Sequence, residues 1–144
     1  MTYICHCQSP IGPITLASDG EFLTNLWFDR QRFDRAGLGE FVEADLPVFE
    51  ETRKWLAVYF TGRDPGFLPP LKLSGSPFRQ MVGQIMLTIP FGCLMTYGQI
   101  AKEVAKRTGK LKVSAQAVGG AVGHNPIGII VPCHRVVGIS GSLT

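Results

Sequence analysis

Three segments near the start of the chain, TYICHCQ (2–8), PITLAS (13–18) and FLTNLWF (22–28), are rich in β-branched and aromatic residues. The turn formers SPIG and SDGE separate them, which predicts strands in a small antiparallel meander. Residues 30–44 are charged and Gly-containing and read as a loop. From Asp45 the period changes. Leu46, Phe49, Trp55, Leu56, Tyr59 and Phe60 recur three and four residues apart, one face of a helix that Gly62 and Asp64-Pro65-Gly66 end. This helix is expected to cover one face of the sheet. The Gly- and Pro-rich stretch GRDPGFLPPLKLSGS, residues 62–76, reads as a linker between domains 1–70 and 71–144.

Beyond it the pattern is helical. Ser76 caps and Pro77 starts a helix whose stripe is Phe78, Val82, Ile85, Met86 and Ile89, with Pro90 as the stop. Thr96 caps YGQIAKEVAKRTG, with Ile100, Ala101, Val104 and Ala105 inward and Gly109 as terminator. After KLK, Ser114 caps a third helix, AQAVGGAVGHN. Two short helices across a tight basic turn outline a helix-turn-helix. The fold class is thus α+β: a small N-terminal antiparallel sheet with a helix, then a helical domain.

The third helix is odd because Gly119 and Gly120 lie in its middle, each costing about 1 kcal/mol relative to alanine. Its other residues are mostly Ala and Val, not the Arg, Asn and Gln that read base edges in the major groove. Close packing on a neighbouring helix would account for a smooth face. So would close approach to a bulky ligand such as the narrow minor groove of DNA.

Composition narrows the class. The chain has 144 residues, of which 45% are hydrophobic and 17% charged, as in globular proteins. No apolar run approaches the roughly 20 residues of a membrane span, and MTYICHCQSP lacks the features of a secretion signal. A cytoplasmic protein is expected, with Cys5, Cys7, Cys93 and Cys133 as free thiols. Cys5 and Cys7 flank His6, but on a strand the histidine faces away from both sulfurs. Core packing is the reading for that pair, and no metal site is expected, since zinc requires four converging ligands.

The net charge of +3 hides a split. Residues 1–71 carry six basic and ten acidic side chains, a net of −4; residues 72–144 carry eight basic side chains against Glu103 alone, a net of +7. A basic half suits a polyanion, although a solvated lysine face would look the same.

The candidate chemistry lies in IIVPCHRVVG, residues 129–138, where a thiol, an imidazole and a guanidinium interrupt an apolar run. A buried Cys is commonly an inert small hydrophobe. As a nucleophile it attacks as thiolate, and His134 and Arg135 offer a base and a positive charge within two residues. Immediate neighbours on an extended chain point apart, so His134 would act on Cys133 through a bridging water.

NPIGIIVPCHRVVG, the preceding AQAVGGAVGH, and PFGCLMTYGQIA resemble the signature of the O6-alkylguanine-DNA alkyltransferases, the methylated-DNA–protein-cysteine methyltransferases. The similarity is strong over residues 76–144. The N-terminal part is similar, more loosely, to the family's ribonuclease H-like domain, and the C-terminal part implies a winged-helix-like helix-turn-helix. The resemblance implies repair of double-stranded DNA by transfer of an alkyl group from guanine O6, with thymine O4 as a second target, to Cys133. Each molecule would act once, since nothing regenerates the thioether. It implies that His134 removes the thiol proton through water and that Tyr97 helps rotate the nucleotide out. Asn125 would be the hinge to the active-site segment, and with Tyr97 and the backbone of Val136 it makes up the expected substrate-binding set. Ser114, Ala115, Gln116, Ala117, Gly119, Gly120 and Arg135 would meet DNA. No cofactor is implied.

Three departures matter. Gln116 stands where the family commonly has an arginine that fills the place of the flipped base. Gly128 replaces a frequent proline beside the pocket. The chain ends at Thr144, where the family's pocket-closing loop begins, before a final helix whose glutamate orients the histidine. Two alternatives stand beside this reading: a helix-turn-helix module that binds DNA without transfer, or, if the chain truly ends there, an inactive fragment. A monomer is expected unless the absent helix promotes association.

Overall fold

The computed structural model describes residues 1–28 and 40–138, and the chain divides into two compact units, Met1–Lys72 and Leu73–Thr144. In the first unit three strands, β1 (Thr2–Ser9), β2 (Gly12–Ser18) and β3 (Leu23–Phe28), form the antiparallel meander that the alternation predicts. A fourth strand, β4 (Phe41–Glu43), pairs parallel to β1 at Thr2–Ile4, giving the order β3-β2-β1-β4. That corrects the loop reading of residues 30–44; residues 29–39 lie outside the described residues. Three residues are too few to show alternation. What makes the strand is the open edge of β1, whose backbone groups need partners: Thr2 N–H donates to Glu40 O at 3.3 Å and Ala44 N–H to Ile4 O at 3.1 Å.

Helix α1 (Pro47–Tyr59) starts on a proline, whose fixed φ is already helical, and buries Val48, Phe49, Thr52, Trp55 and Leu56. It lies on the sheet face that carries Cys5, as the Arg53 guanidinium 3.7 Å from Cys5 Sγ records. The expected cover of the sheet is therefore present. His6 indeed stands on the opposite face from Cys5 and Cys7, its imidazole against Thr15 Oγ1 and Glu43. Burial, and then the nearby Cys7, push the Cys5 thiol up to about 11. Among the described residues no cluster of three or more His, Cys, Asp or Glu stands ready for a metal.

The expected linker is partly docked. Leu71 bridges to Leu23, with Leu23 N–H on Pro70 O at 2.7 Å and Lys72 N–H on Leu23 O at 3.0 Å, so the first unit ends at Lys72.

The second unit is built on α2 (Pro77–Leu87), α3 (Tyr97–Thr108) and α4 (Ala115–Gly123). Every expected cap forms. Ser76 accepts from Arg79 N–H, Ser114 from Ala117 N–H, and Thr96 makes a capping box with Gln99. Gly109 ends α3 in the left-handed conformation, at φ 71°. Val82, Ile85, Met86, Ile100, Val104 and Val118 form the core between the helices. The pattern did not announce a further strand pair: β5 (Met95–Thr96) lies parallel to β6 (Val136–Val137). Among the described residues no helix is long and apolar enough to cross a membrane.

Candidate active site

The apolar run around Cys133 is buried on both sides of the polar residues. Ile127, Ile130 and Val131 on one side and Val136 and Val137 on the other are all 5% exposed or less. Cys133 itself is half-buried, His134 exposed and Arg135 half-buried. The backbone explains this. The chain at Cys133 is not extended, as the sequence reading had it: Cys133–Arg135 is a single 3₁₀ turn, closed by Arg135 N–H on Pro132 O at 3.0 Å. The cause is Pro132, at φ −82° and ψ 67°, the centre of an inverse γ-turn in which Cys133 N–H donates to Val131 O at 2.8 Å. Successive side chains on a 3₁₀ turn are about 120° apart. Direct Cys133–His134 contact is therefore still unfavourable, though not for the reason given by an extended chain.

A second tight turn precedes it. Ile129 has φ 66°, the only non-glycine residue with positive φ among the described residues, and Ile130 N–H reaches back to Gly128 O at 2.7 Å. A β-branched residue in that region costs on the order of 1–3 kcal/mol, strain that its surroundings must sustain.

Asn125 joins α4 to this segment. Its Nδ2 donates to Val131 O at 2.8 Å, and its Oδ1 accepts Ile127 N–H at 3.1 Å. Both ends of its amide are thus engaged by backbone, and the Val131 carbonyl receives Asn125 and Cys133 N–H together. The residue holds the segment that carries the thiol.

Tyr97 opens α3 directly after β5, and β5 is paired to β6, which follows the Cys133 turn. A Cβ placed on Gly119 would stand 4.0 Å from the Tyr97 ring, so the tyrosine sits beside α4. Val136 is 1% exposed, and its N–H returns to Cys133 O. On α4, Ala115, Gln116, Ala117 and Gly120 are exposed, while Val118, Ala121 and Val122 pack inward. A Cβ on Gly120 or Gly123 would meet nothing within 4 Å. Packing among the described residues does not call for these two glycines.

The Arg135 side chain runs back to the segment after α2. Its Nη1 donates to Ile89 O at 3.4 Å, and its guanidinium lies 5.1 Å from the centre of the Phe91 ring. The His134 imidazole has its pKa lowered from the usual 6.5, first by desolvation and then by the charge of Arg135, even though part of the ring meets solvent. The segment from which the pocket-closing loop would start, residues 139–144, lies outside the described residues.

The family model of the 6-O-methylguanine DNA methyltransferase ribonuclease-like domain matches residues 2–73, and that of the DNA binding domain of the same enzymes matches residues 77–144. A methylated-DNA–protein-cysteine methyltransferase of Mycobacterium leprae is 43% identical over 141 residues, 96% of this chain and 81% of the relative. The chain belongs to the methylated-DNA–protein-cysteine methyltransferase family. A member from Haemophilus influenzae is 38% identical over 144 residues, 99% of this chain and 76% of that one. Among solved structures, the Mycobacterium tuberculosis O6-methylguanine methyltransferase superposes with a TM-score of 0.86 at 42% identity, covering 100% of this chain and 83% of that chain. The M. tuberculosis protein in complex with DNA gives 0.82 at 42% identity, covering 99% and 82%. The α+β architecture expected from the sequence is thus that of this methyltransferase family.

The sequence reading missed three contributors to the site: the Val131 carbonyl, the β5–β6 pair, and the Ile89–Phe91 anchor of Arg135. A backbone acceptor leaves no mark on a sequence, and two-residue strands are below the length at which a period can be read. Phe91 carries no charge that would mark it in a sequence as a partner of a guanidinium.

Proposed function

We propose that this protein repairs DNA by moving the alkyl group of O6-alkylguanine directly to Sγ of Cys133. The observation that carries the reading is the half-buried thiol on a 3₁₀ turn, between two buried apolar segments and next to an imidazole whose protonation is disfavoured. The thiol loses its proton to His134, by way of a water. The sulfur lone pair then forms the S–C bond as the bond from carbon to O6 breaks, and the guanine leaving group takes up a proton. The product is a thioether, so each molecule acts once. A soft sulfur suits attack at carbon, and the apolar walls suit a flipped purine.

Double-stranded DNA would lie on the exposed face of α4, formed by Ala115, Gln116, Ala117, Gly119 and Gly120 behind the Ser114 cap. Small side chains there allow a minor groove to come close, and Lys110 and Lys112 on the turn before α4 add charge for phosphates. Gln116 would fill the space of the extruded base. Tyr97, beside Gly119, would guide the nucleotide, and the backbone at Val136 would meet the base. Asn125, with its amide engaged, would act by holding the turn. Residues 1–70 would form the ribonuclease H-like domain and residues 71–144 the transferring domain, a division supported by two compact units that meet at Lys72 and Leu73. A cytoplasmic location is in keeping with four free cysteines.

Intact mass spectrometry after incubation with duplex DNA containing O6-methylguanine tests the reading. A methyl-sized gain that maps to Cys133 is expected, and it disappears in Cys133→Ser. Tight binding of the duplex without any gain would mean a non-catalytic module instead.

A further inference from the structure

Arg135 ends the Cys133 turn, yet its side chain runs back to a segment 46 residues earlier in the chain. Ile89 and Phe91, its two partners, bracket the proline that follows α2. Carbonyls at a helix C-terminus lack intrahelical partners, and a cation is favoured at that end of the dipole. A guanidinium over an aromatic face gains further, the more so when partly desolvated.

We infer that Arg135 is a positioning residue for alkyl transfer, tying the C-terminal end of the Cys133 turn to the segment after α2, and is not a contact to a DNA phosphate. The turn is then held at both ends. Asn125 grips its N-terminal side through the Val131 carbonyl, and Arg135 grips its C-terminal side just before β6 pairs with β5. Displacement at carbon requires the sulfur in line with the breaking bond, and a misplacement of about 1 Å costs on the order of a hundredfold in rate. The same guanidinium bears on His134. Its charge opposes a second charge on the imidazole and keeps that ring in the form that accepts a proton. Of the other ionisable groups on the elements around the turn, Cys133 lies on the turn itself, Tyr97 opens α3, Lys102 and Lys106 lie further along α3, Arg79 lies on α2 and His124 caps α4. Glu103 on α3 is paired with Arg107 at 3.0 Å.

The inference rests on Cys133 being the acceptor. Its test compares Arg135→Met and Arg135→Lys with the parent on O6-methylguanine duplex, in single turnovers at saturating DNA, over roughly pH 5 to 9. Arg135→Met is expected to lower the transfer rate constant about tenfold or more and to move the acid limb of its pH profile to higher pH. The duplex concentration at half-saturation and its salt dependence should hold. Arg135→Lys keeps the charge, so the acid limb stays, while the rate still falls because an ammonium cannot reproduce the planar contact. Should Arg135→Met fail to fold, as thermal unfolding would reveal, the lysine variant carries the test: slower transfer with unchanged DNA affinity. A salt slope shallower by about 0.9 together with an unchanged saturated rate would identify a phosphate contact and overturn the inference. So would parental behaviour in both variants. The mass map of the parent keeps the two questions apart. A methyl gain away from Cys133 defeats the proposed acceptor, whereas a gain on Cys133 with indifferent Arg135 variants defeats only this inference.

Discussion

Replacing Asn125 with alanine removes both arms of the clamp on the thiol segment. The arm to Val131 O is 2.8 Å long and the arm from Ile127 N–H 3.1 Å. A typical intramolecular hydrogen bond contributes a net 0.5–1.5 kcal/mol, so the two together account for about 1–3 kcal/mol. The Ile127 side chain is fully buried, so water has poor access to the orphaned N–H and the upper half of that range applies: about 2 kcal/mol. In a chain of this size that lowers the melting temperature by roughly 4–8 °C. Calorimetry of the Asn125→Ala variant measures it directly. Asn125→Asp separates the arms. The carboxylate still accepts Ile127 N–H but turns an acceptor toward the Val131 carbonyl, so it should be at least as damaging as alanine despite its shape. Because the Val131 carbonyl also receives Cys133 N–H at 2.8 Å, both variants should slow methyl transfer at saturating DNA more than they weaken binding. Loss of stability with transfer unchanged would refute the link from Asn125 to the thiol. Unchanged melting would refute the clamp itself.

Other consequences are separately measurable. Gly120→Ala has open space around the new methyl and replaces a poor helix former, so unfolding experiments should show a gain of up to about 1 kcal/mol; if α4 needs a smooth face for DNA, duplex affinity falls at the same time, and unchanged affinity would count against that use of the helix. Gln116→Arg adds charge at an exposed position on α4 and should tighten duplex binding and speed transfer from duplex, with transfer from free O6-methylguanine little affected. Equal effects on both substrates would argue against a role in base extrusion. With its pKa near 11, Cys5 is about one-thousandth thiolate at pH 8, so it should label with iodoacetamide far more slowly than exposed Cys93, by peptide mapping. The sign for stability follows: the unfolded thiol ionises first, so the contribution of Cys5 is whole below its ordinary value of 9.0 and declines as pH rises from there toward 11. In Cys5→Ala that alkaline decline should be reduced.

The sequence by itself determined what depends on neighbours along the chain. The strands of the meander follow from alternation and turn residues, and the three caps at Ser76, Thr96 and Ser114 from side chains that bond the amide three positions on. The motif PCHRV between apolar runs was also legible, because it is contiguous and its residue types are rare together. Only the tertiary structure decided what depends on an unmarked backbone or on distant residues. Strand β4 exists because β1 has an open edge, not because three residues prefer to be extended. The conformation of Cys133 is set by Pro132 and by a carbonyl shared with Asn125, and so became a 3₁₀ turn where the sequence had read extended chain. For Arg135 a sequence shows the charge but not the partners on which its side chain rests. Phe91 and Ile89 lie more than 40 residues away and carry no opposite charge. A ring face and a backbone carbonyl bind a guanidinium without leaving any pattern that one-dimensional reading can detect.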